Sequence, residues 1–381
     1  MREYALVAVV AAAVTHLLVP LARALALRWG AVARPRDRDV HAVPTPRLGG
    51  IAIYGGTAAA LLVAENLPAL QRVAQSSSAP RAVLVAGAVI CLLGALDDRY
   101  GLDALTKLAG QVLAAGVLVL LGIQVLLVLV PGQGVVSLSP DIAVPVTVLL
   151  VLLTVNAVNF VDGLDGLAAG MVGIAALAFF VFSYQLSVVQ NVDRADSPTL
   201  IAAVTVGVCA GFLPHNLHPA RVFMGDSGSM LLGLLLAAAA VSVTGQVSPG
   251  GTAGAQSVAP ALFLPVLLPL AVLAVPLGDL LLAVVRRTRA GRSPFAPDKR
   301  HLHHRLLEIG HSQTGAVGVL CSLTALLAFG GVALALADAR LVTAAVAAGL
   351  LLVALAVRAR PRAPSSRAAG RLARADPGEG R

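Results

Sequence analysis

The sequence predicts an all-α, polytopic integral membrane bundle of about eleven transmembrane helices (10–11), with the N-terminus outside and the C-terminus cytoplasmic. The chain of 381 residues is 58% hydrophobic and 12% charged, whereas a soluble domain needs about a quarter of its residues charged. Its mean hydropathy is +0.87. The apolar residues also gather into runs of roughly 17 to 25, the length a helix needs to cross about 30 Å of hydrocarbon.

The first run, Tyr4 to Leu27, is too long for a signal-peptide core and has no basic segment ahead of it, so it is expected to stay as a span. Gly49 to Leu67 and Ala82 to Leu96 follow, the latter running into two carboxylates. Leu105 to Val125 carries Lys107 near its start, where an ammonium is costly without a partner or an anionic ligand. Then come Ile142 to Val158, Leu167 to Leu186, Thr199 to Leu213 and Ser229 to Thr244. Val258 to Val285 holds Asp279, a carboxylate deep in a span, which reads as a helix-pairing residue or as a partner of Arg286 and Arg287. Thr314 to Ala337 and Leu341 to Val357 complete the set. Several runs are short or contain Gly and Pro, which a bundle tolerates because neighbouring helices satisfy freed backbone groups. Residues 1–357 thus form one integral membrane domain, and 358–381 form a basic tail of Arg, Pro, Ala and Ser with nothing to bury, expected to be disordered.

The net charge of +9 does not indicate nucleic acid, because the basic residues are spread through short loops and the tail without aromatic interleaving. The positive-inside rule accounts for them. With the N-terminus outside, outward segments hold only Arg2, Arg72, Arg81, Arg194 and Arg340, five of the 28 basic residues. Every polar cluster of note then falls inward: His41 to Gly50, Asp97 to Lys107, Asn156 to Asp165, His215 to Asp226 and Asp298 to His304. The loops Pro131 to Ser139 and Gly245 to Ser257 face outward. Cys91, Cys209 and Cys321 sit singly in apolar runs and read as small core residues.

Asp97 and Asp98, in LGALDDRYG, place paired carboxylates where a span meets water. Such oxygens suit Mg²⁺, which is commonly shared between one or two carboxylates and substrate phosphates; the pair also simply ends a helix. In NAVNFVDGLDGLAAG, Asn156, Asn159, Asp162 and Asp165 recur every third residue and run off a helix into a Gly-rich turn. That spacing lines oxygens roughly along one face, although Asn and Asp with Gly also make ordinary turns. RVFMGDSGSMLLG puts Asp226 just before a span beginning near Ser229, where a helix N-terminus favours phosphate and an Asp equally serves as a cap. PFAPDKRHLHHRL gathers His301, His303 and His304 among Lys299, Arg300 and Arg305, which opposes a metal and favours an anionic diphosphate, although a plain basic inward loop fits the same residues. Together these groups describe metal-assisted chemistry on phosphates.

HAVPTPRLGG, LGALDDRYG with LTKLAGQ, NAVNFVDGLDGLAAG, VFMGDSGSMLLG and DKRHLHHRLL resemble, in that order, the motifs of the polyprenyl-phosphate N-acetylhexosamine-1-phosphate transferases, the WecA and MraY superfamily. The resemblance runs from about Arg36 to Leu307. It implies a multi-pass enzyme of the bacterial plasma membrane whose site faces the cytoplasm. A polyprenyl phosphate lipid attacks the sugar-linked phosphate of a UDP-N-acetylhexosamine with Mg²⁺, or Mn²⁺ in its place, releasing UMP and starting a cell-envelope polysaccharide. On this resemblance Asp226 is the principal metal ligand, with Asp97 and Asp98 handling metal and lipid phosphate. Asp162 joins them as a catalytic carboxylate and Lys107 meets the lipid phosphate. Asn159, Asp162, Asp165, Asn216 and Phe223 match nucleotide-pocket positions, Phe223 stacking on uracil. His301, His303 and His304 match a motif near the diphosphate and sugar, and Arg47 is a substrate contact. The HLHH and TPR segments look like the branch using UDP-N-acetylglucosamine, and the superfamily admits homodimers.

Three alternatives compete. The first is the branch using UDP-N-acetylmuramoyl-pentapeptide, which carries a different histidine motif. The second is a covalent aspartyl-phosphate on Asp97 or Asp162 instead of direct attack. The third is a secondary transporter, which would place ionisable residues near the midplane in broken helices.

Overall fold

Long runs of Ala, Leu and Val without a polar stripe make helices that are either enclosed by other helices or turned to lipid. The computed structural model of this chain describes residues 1–33, 44–130, 134–189, 196–244, 302–358 and the single positions 285, 288, 289 and 291. Twelve helices are numbered in these segments: α1 Arg2–Trp29, α2 Gly49–Ala64, α3 Pro68–Ser76, α4 Ala79–Tyr100, α5 Ala104–Leu120, α6 Pro140–Val161, α7 Leu167–Tyr184, α8 Asp196–Asn216, α9 Gly225–Thr244, α10 Leu302–Glu308, α11 Gln313–Leu336 and α12 Ala339–Arg358.

Eight of these, α1, α4, α6, α7, α8, α9, α11 and α12, are long and apolar enough to cross a membrane. At 16 and 17 residues, α2 and α5 are shorter apolar helices. Each expected span within the described residues is therefore a helix. The expected span Val258 to Val285, with Asp279, lies outside the described residues apart from Val285, as does the tail beyond Arg358.

The all-α expectation needs correction at two places. Val32–Ala33 (β1) pairs antiparallel with Thr45–Pro46 (β2). Leu127–Val130 (β3) pairs with Gly134–Ser137 (β4), Leu127 opposite Ser137. The second pair occupies the segment read as an outward loop, and its LVLV and GVVS stretches are rich in the β-branched residues that fit a pleated ribbon. The helix α3 was also not expected. Its PALQRVAQS sequence is too polar for a span, and its first turn is held by Glu3 of α1, whose Oε2 accepts the Ala69 and Leu70 N–H groups at 3.0 and 3.1 Å.

α9 sits at the centre, buried along nearly its whole length, against α2, α4, α6, α7 and α8. α12 is the opposite case, with 6% buried and Leu341, Leu351 and Leu352 on its outer face. Small residues let the helices close up. A Cβ on Gly207 or Gly211 of α8 would collide with the Ala8 or Ala12 carbonyl of α1. Four residues on, His215 Nε2 lies 3.2 Å from His16 Nδ1, so the two helices run parallel and in step.

Candidate active site

The site is organised by the way α9 begins. Gly225 takes a left-handed φ of +67°, a conformation open to glycine at little cost, and turns the chain into the helix. The first N–H groups of a helix have no partner inside it. Here Asp98, near the end of α4, supplies one: its Oδ1 accepts the Asp226 N–H at 2.9 Å, and its Oδ2 accepts the Ser227 N–H at 3.1 Å and the Ser227 hydroxyl at 2.9 Å. A carboxylate at this end also meets the positive pole of the helix dipole. Side chains are excluded on both flanks, because a Cβ on Gly50 of α2 or Gly94 of α4 would collide with the Ser227 backbone. This cap carries α9 back to Gly225, four residues before the expected start at Ser229, and so places Asp226 in the first turn.

Asp226 then projects from a fixed base. Its Oδ1 accepts the Asn159 amide at 2.9 Å, and Asn159 also donates to Ser229 Oγ at 2.8 Å. Its Oδ2 pairs with the Lys107 ammonium. The same ammonium lies 2.8 Å from Asp97 Oδ2, while Asp97 Oδ1 accepts the Leu102 N–H at 2.7 Å. Lys107 thus holds together carboxylates 129 positions apart in the chain, and its expected partners prove to be Asp97 and Asp226. Lys107 sits near the start of α5 because Asp103 caps that helix, Oδ1 accepting the Leu105 and Thr106 N–H groups at 3.0 Å each. Hydrogen bonds from Thr106 also hold the Asp103 carboxyl below the ordinary carboxylate range.

Asp162 follows the last residue of α6. Burial, then the charges of Asp226 and Asp98, push its carboxyl up to about 8, opposed by the Arg47 guanidinium. Both Asp162 and Arg47 therefore lie within electrostatic reach of the cluster. Asp97, Asp98, Lys107, Asn159, Asp162, Arg47 and Asp226 are thereby brought together from α4, α5, α6, α9 and the segment before α2.

The remaining expected residues divide. Asn156 belongs to the packing: its amide donates to Gln111 Oε1 at 2.8 Å, and Gln111 reaches Met230 Sδ at 3.3 Å. Asn216 is 2% exposed and uses its amide on backbone, accepting the Gly166 N–H and donating to the Val222 carbonyl, each at 3.1 Å. It ties the α6–α7 turn to the α8–α9 connection. Asp165 turns to that connection too, toward His218 and the Ala220 N–H, so it does not share the Asn159 face as its spacing suggested. Phe223 is half-buried, its N–H donating to the Pro46 carbonyl at 2.8 Å. His303 and His304 fall in α10, and His301 lies outside the described residues. Ser227, Ser229 and His218 were missed. The serines look like cap residues in sequence, and His218 carries no local signal.

Two carboxylates already sharing one cation suit a hard divalent ion. Among the described residues no three His, Cys, Asp or Glu groups form a ready metal cluster.

The family model for glycosyl transferase family 4 matches residues 81–244, the stretch that holds most of this cluster. The chain is 51% identical over 357 residues, 93% of it and 88% of the relative, to a decaprenyl-phosphate N-acetylglucosaminephosphotransferase of Mycobacterium tuberculosis. It is 49% identical over 87% of its length and 82% of the relative to the Mycolicibacterium smegmatis protein of the same name. An undecaprenyl-phosphate alpha-N-acetylglucosaminyl 1-phosphate transferase of Salmonella typhi is 28% identical over 84% of this chain and 80% of its own.

Proposed function

Because the chain belongs to the glycosyl transferase family 4 of polyprenyl-phosphate N-acetylhexosamine-1-phosphate transferases, we propose that it transfers N-acetylglucosamine-1-phosphate from UDP-N-acetylglucosamine to a membrane polyprenyl phosphate. A phosphate oxygen of the lipid attacks the sugar-linked phosphorus. The bond from that phosphorus to the bridging oxygen breaks, UMP leaves, and the sugar keeps its own C–O bond in the polyprenyl diphosphate product. This product starts a cell-envelope polysaccharide at the cytoplasmic face of the plasma membrane.

The observation that carries the reading is the single network of Asp97, Lys107, Asn159 and Asp226, built from four helices at one end of the bundle. Phosphoryl transfer asks the protein mainly for positioning and charge neutralisation. Lys107 supplies a positive charge where the lipid phosphate would arrive, and Asn159 fixes the Asp226 carboxylate. Asp226, with Asp97 beside it, would hold Mg²⁺, which when bound neutralises the diphosphate. Asp98 acts through Asp226, since both of its oxygens serve the start of α9. Arg47 and Asp162 lie within electrostatic reach of the same carboxylates. Asp97 has both oxygens engaged by Lys107 and Leu102, which disfavours a covalent aspartyl-phosphate on Asp97.

Purified protein with polyprenyl phosphate, Mg²⁺ and a panel of UDP-sugars tests this. UMP release is expected to be fastest with UDP-N-acetylglucosamine and to require both lipid and metal. No UMP from any donor overturns the reaction; preference for UDP-N-acetylmuramoyl-pentapeptide overturns the donor alone.

A further inference from the structure

One ionisable side chain at the same end of the bundle has no part in the chemistry above. His218 lies in the connection between α8 and α9, its Nδ1 2.7 Å from Asp165 Oδ2. That oxygen also accepts the Ala220 N–H at 3.1 Å. The Asp165 side chain is 2% exposed and that of His218 43% exposed, so a buried carboxylate holds an open imidazole.

The chemistry of the pair fixes the ring. The contact with Asp165 occupies Nδ1, so Nε2 is the nitrogen left for another partner. Holding the loops together does not require His218. Asn216 already joins the α6–α7 turn to the α8–α9 connection by two hydrogen bonds, and Ala220 adds a third through Asp165. An aromatic ring, Phe223, lies five residues further along the same connection, and α9 with Asp226 begins two residues after it.

We propose that His218 recognises the donor, its Nε2 making a hydrogen bond to a ribose hydroxyl of the UDP-sugar. A hydroxyl both donates and accepts, so it pairs with Nε2 whether the ring is neutral or protonated. The assignment rests on the proposed reaction, and it makes His218 a specificity residue held by Asp165.

The test compares UDP-N-acetylglucosamine with its 2′-deoxy and 3′-deoxy forms in wild type, His218→Ala and His218→Gln. Wild type is expected to lose about tenfold in kcat/KM with one of the deoxy donors, the size of one hydrogen bond. His218→Ala is expected to lose a similar factor with the natural donor, through KM and not kcat. It should no longer distinguish that deoxy donor, and KM for the lipid phosphate should stay unchanged. His218→Gln, whose amide can still donate and accept, should recover part of the discrimination. If His218→Ala discriminates as wild type does, or if KM for both substrates rises together with a lowered Tm, His218 is only a latch and the proposal falls. UMP release by wild type without any ribose discrimination defeats the His218 assignment while sparing the reaction; no release at all defeats both.

Discussion

At the residue scale the site is a balance of charge. Asp97 and Asp226 share one ammonium, Lys107, so the pair carries surplus negative charge that a divalent cation and its phosphates can resolve. Asp226→Ala is expected to cut UMP release at least roughly a hundredfold, with Tm nearly unchanged because the backbone N–H of residue 226 keeps its bond to Asp98. Measuring turnover and thermal unfolding on one preparation checks both halves. Asp162 gives a pH signature. Burial and its acidic neighbours push its carboxyl up to about 8, against about 3.9 in the unfolded chain. Between those values the native state holds the extra proton, so stability falls as pH rises through the window and levels off above it. Asp162→Asn should flatten the Tm profile between about pH 5 and 8. The carboxylates and Lys107 were legible in sequence because ionisable groups beside apolar runs need a reason to be there. His218 was not, since LHPARV reads as an ordinary loop until the fold sets Asp165 against it.

At the scale of elements, the start of α9 is a fitted joint. Gly94→Ala should force α4 away from Ser227, an overpacking cost of about 1–3 kcal/mol, and should lower activity because Asp226 moves with the backbone. Asp98→Ala leaves the Asp226 and Ser227 N–H groups without their acceptor, at about 1–3 kcal/mol for an unsatisfied buried group. Thermal unfolding in detergent measures both costs. The long helices were readable from apolar runs alone, but their ends were less so: α9 starts at Gly225 where Asp98 caps it, α4 runs on to Tyr100 and α5 stops at Leu120. α3 and the β3–β4 hairpin were not readable, because α3 is too polar for a span and the strands too short to stand out from a loop. Each is defined by partners elsewhere, Glu3 for α3 and the opposing strand for the hairpin.

For the whole molecule, orientation is the property that sequence charge addresses and helix packing does not. With the inward segments cytoplasmic, a fluorescent reporter fused after Arg358 should light up and one that works only outside the cell should stay silent. The reverse pattern would turn the proposed site to the wrong side of the membrane. The helices wrap α9 so closely that its middle and far turns touch protein and not acyl chains. Hydrophobic mismatch acts on surfaces that meet lipid. In thicker or thinner bilayers the adjustment should therefore fall on outer helices such as α12, leaving the depth of Asp226 within the bundle unchanged. Turnover in vesicles of differing acyl length would then vary with how readily the lipid acceptor arrives and little with strain at the carboxylate itself.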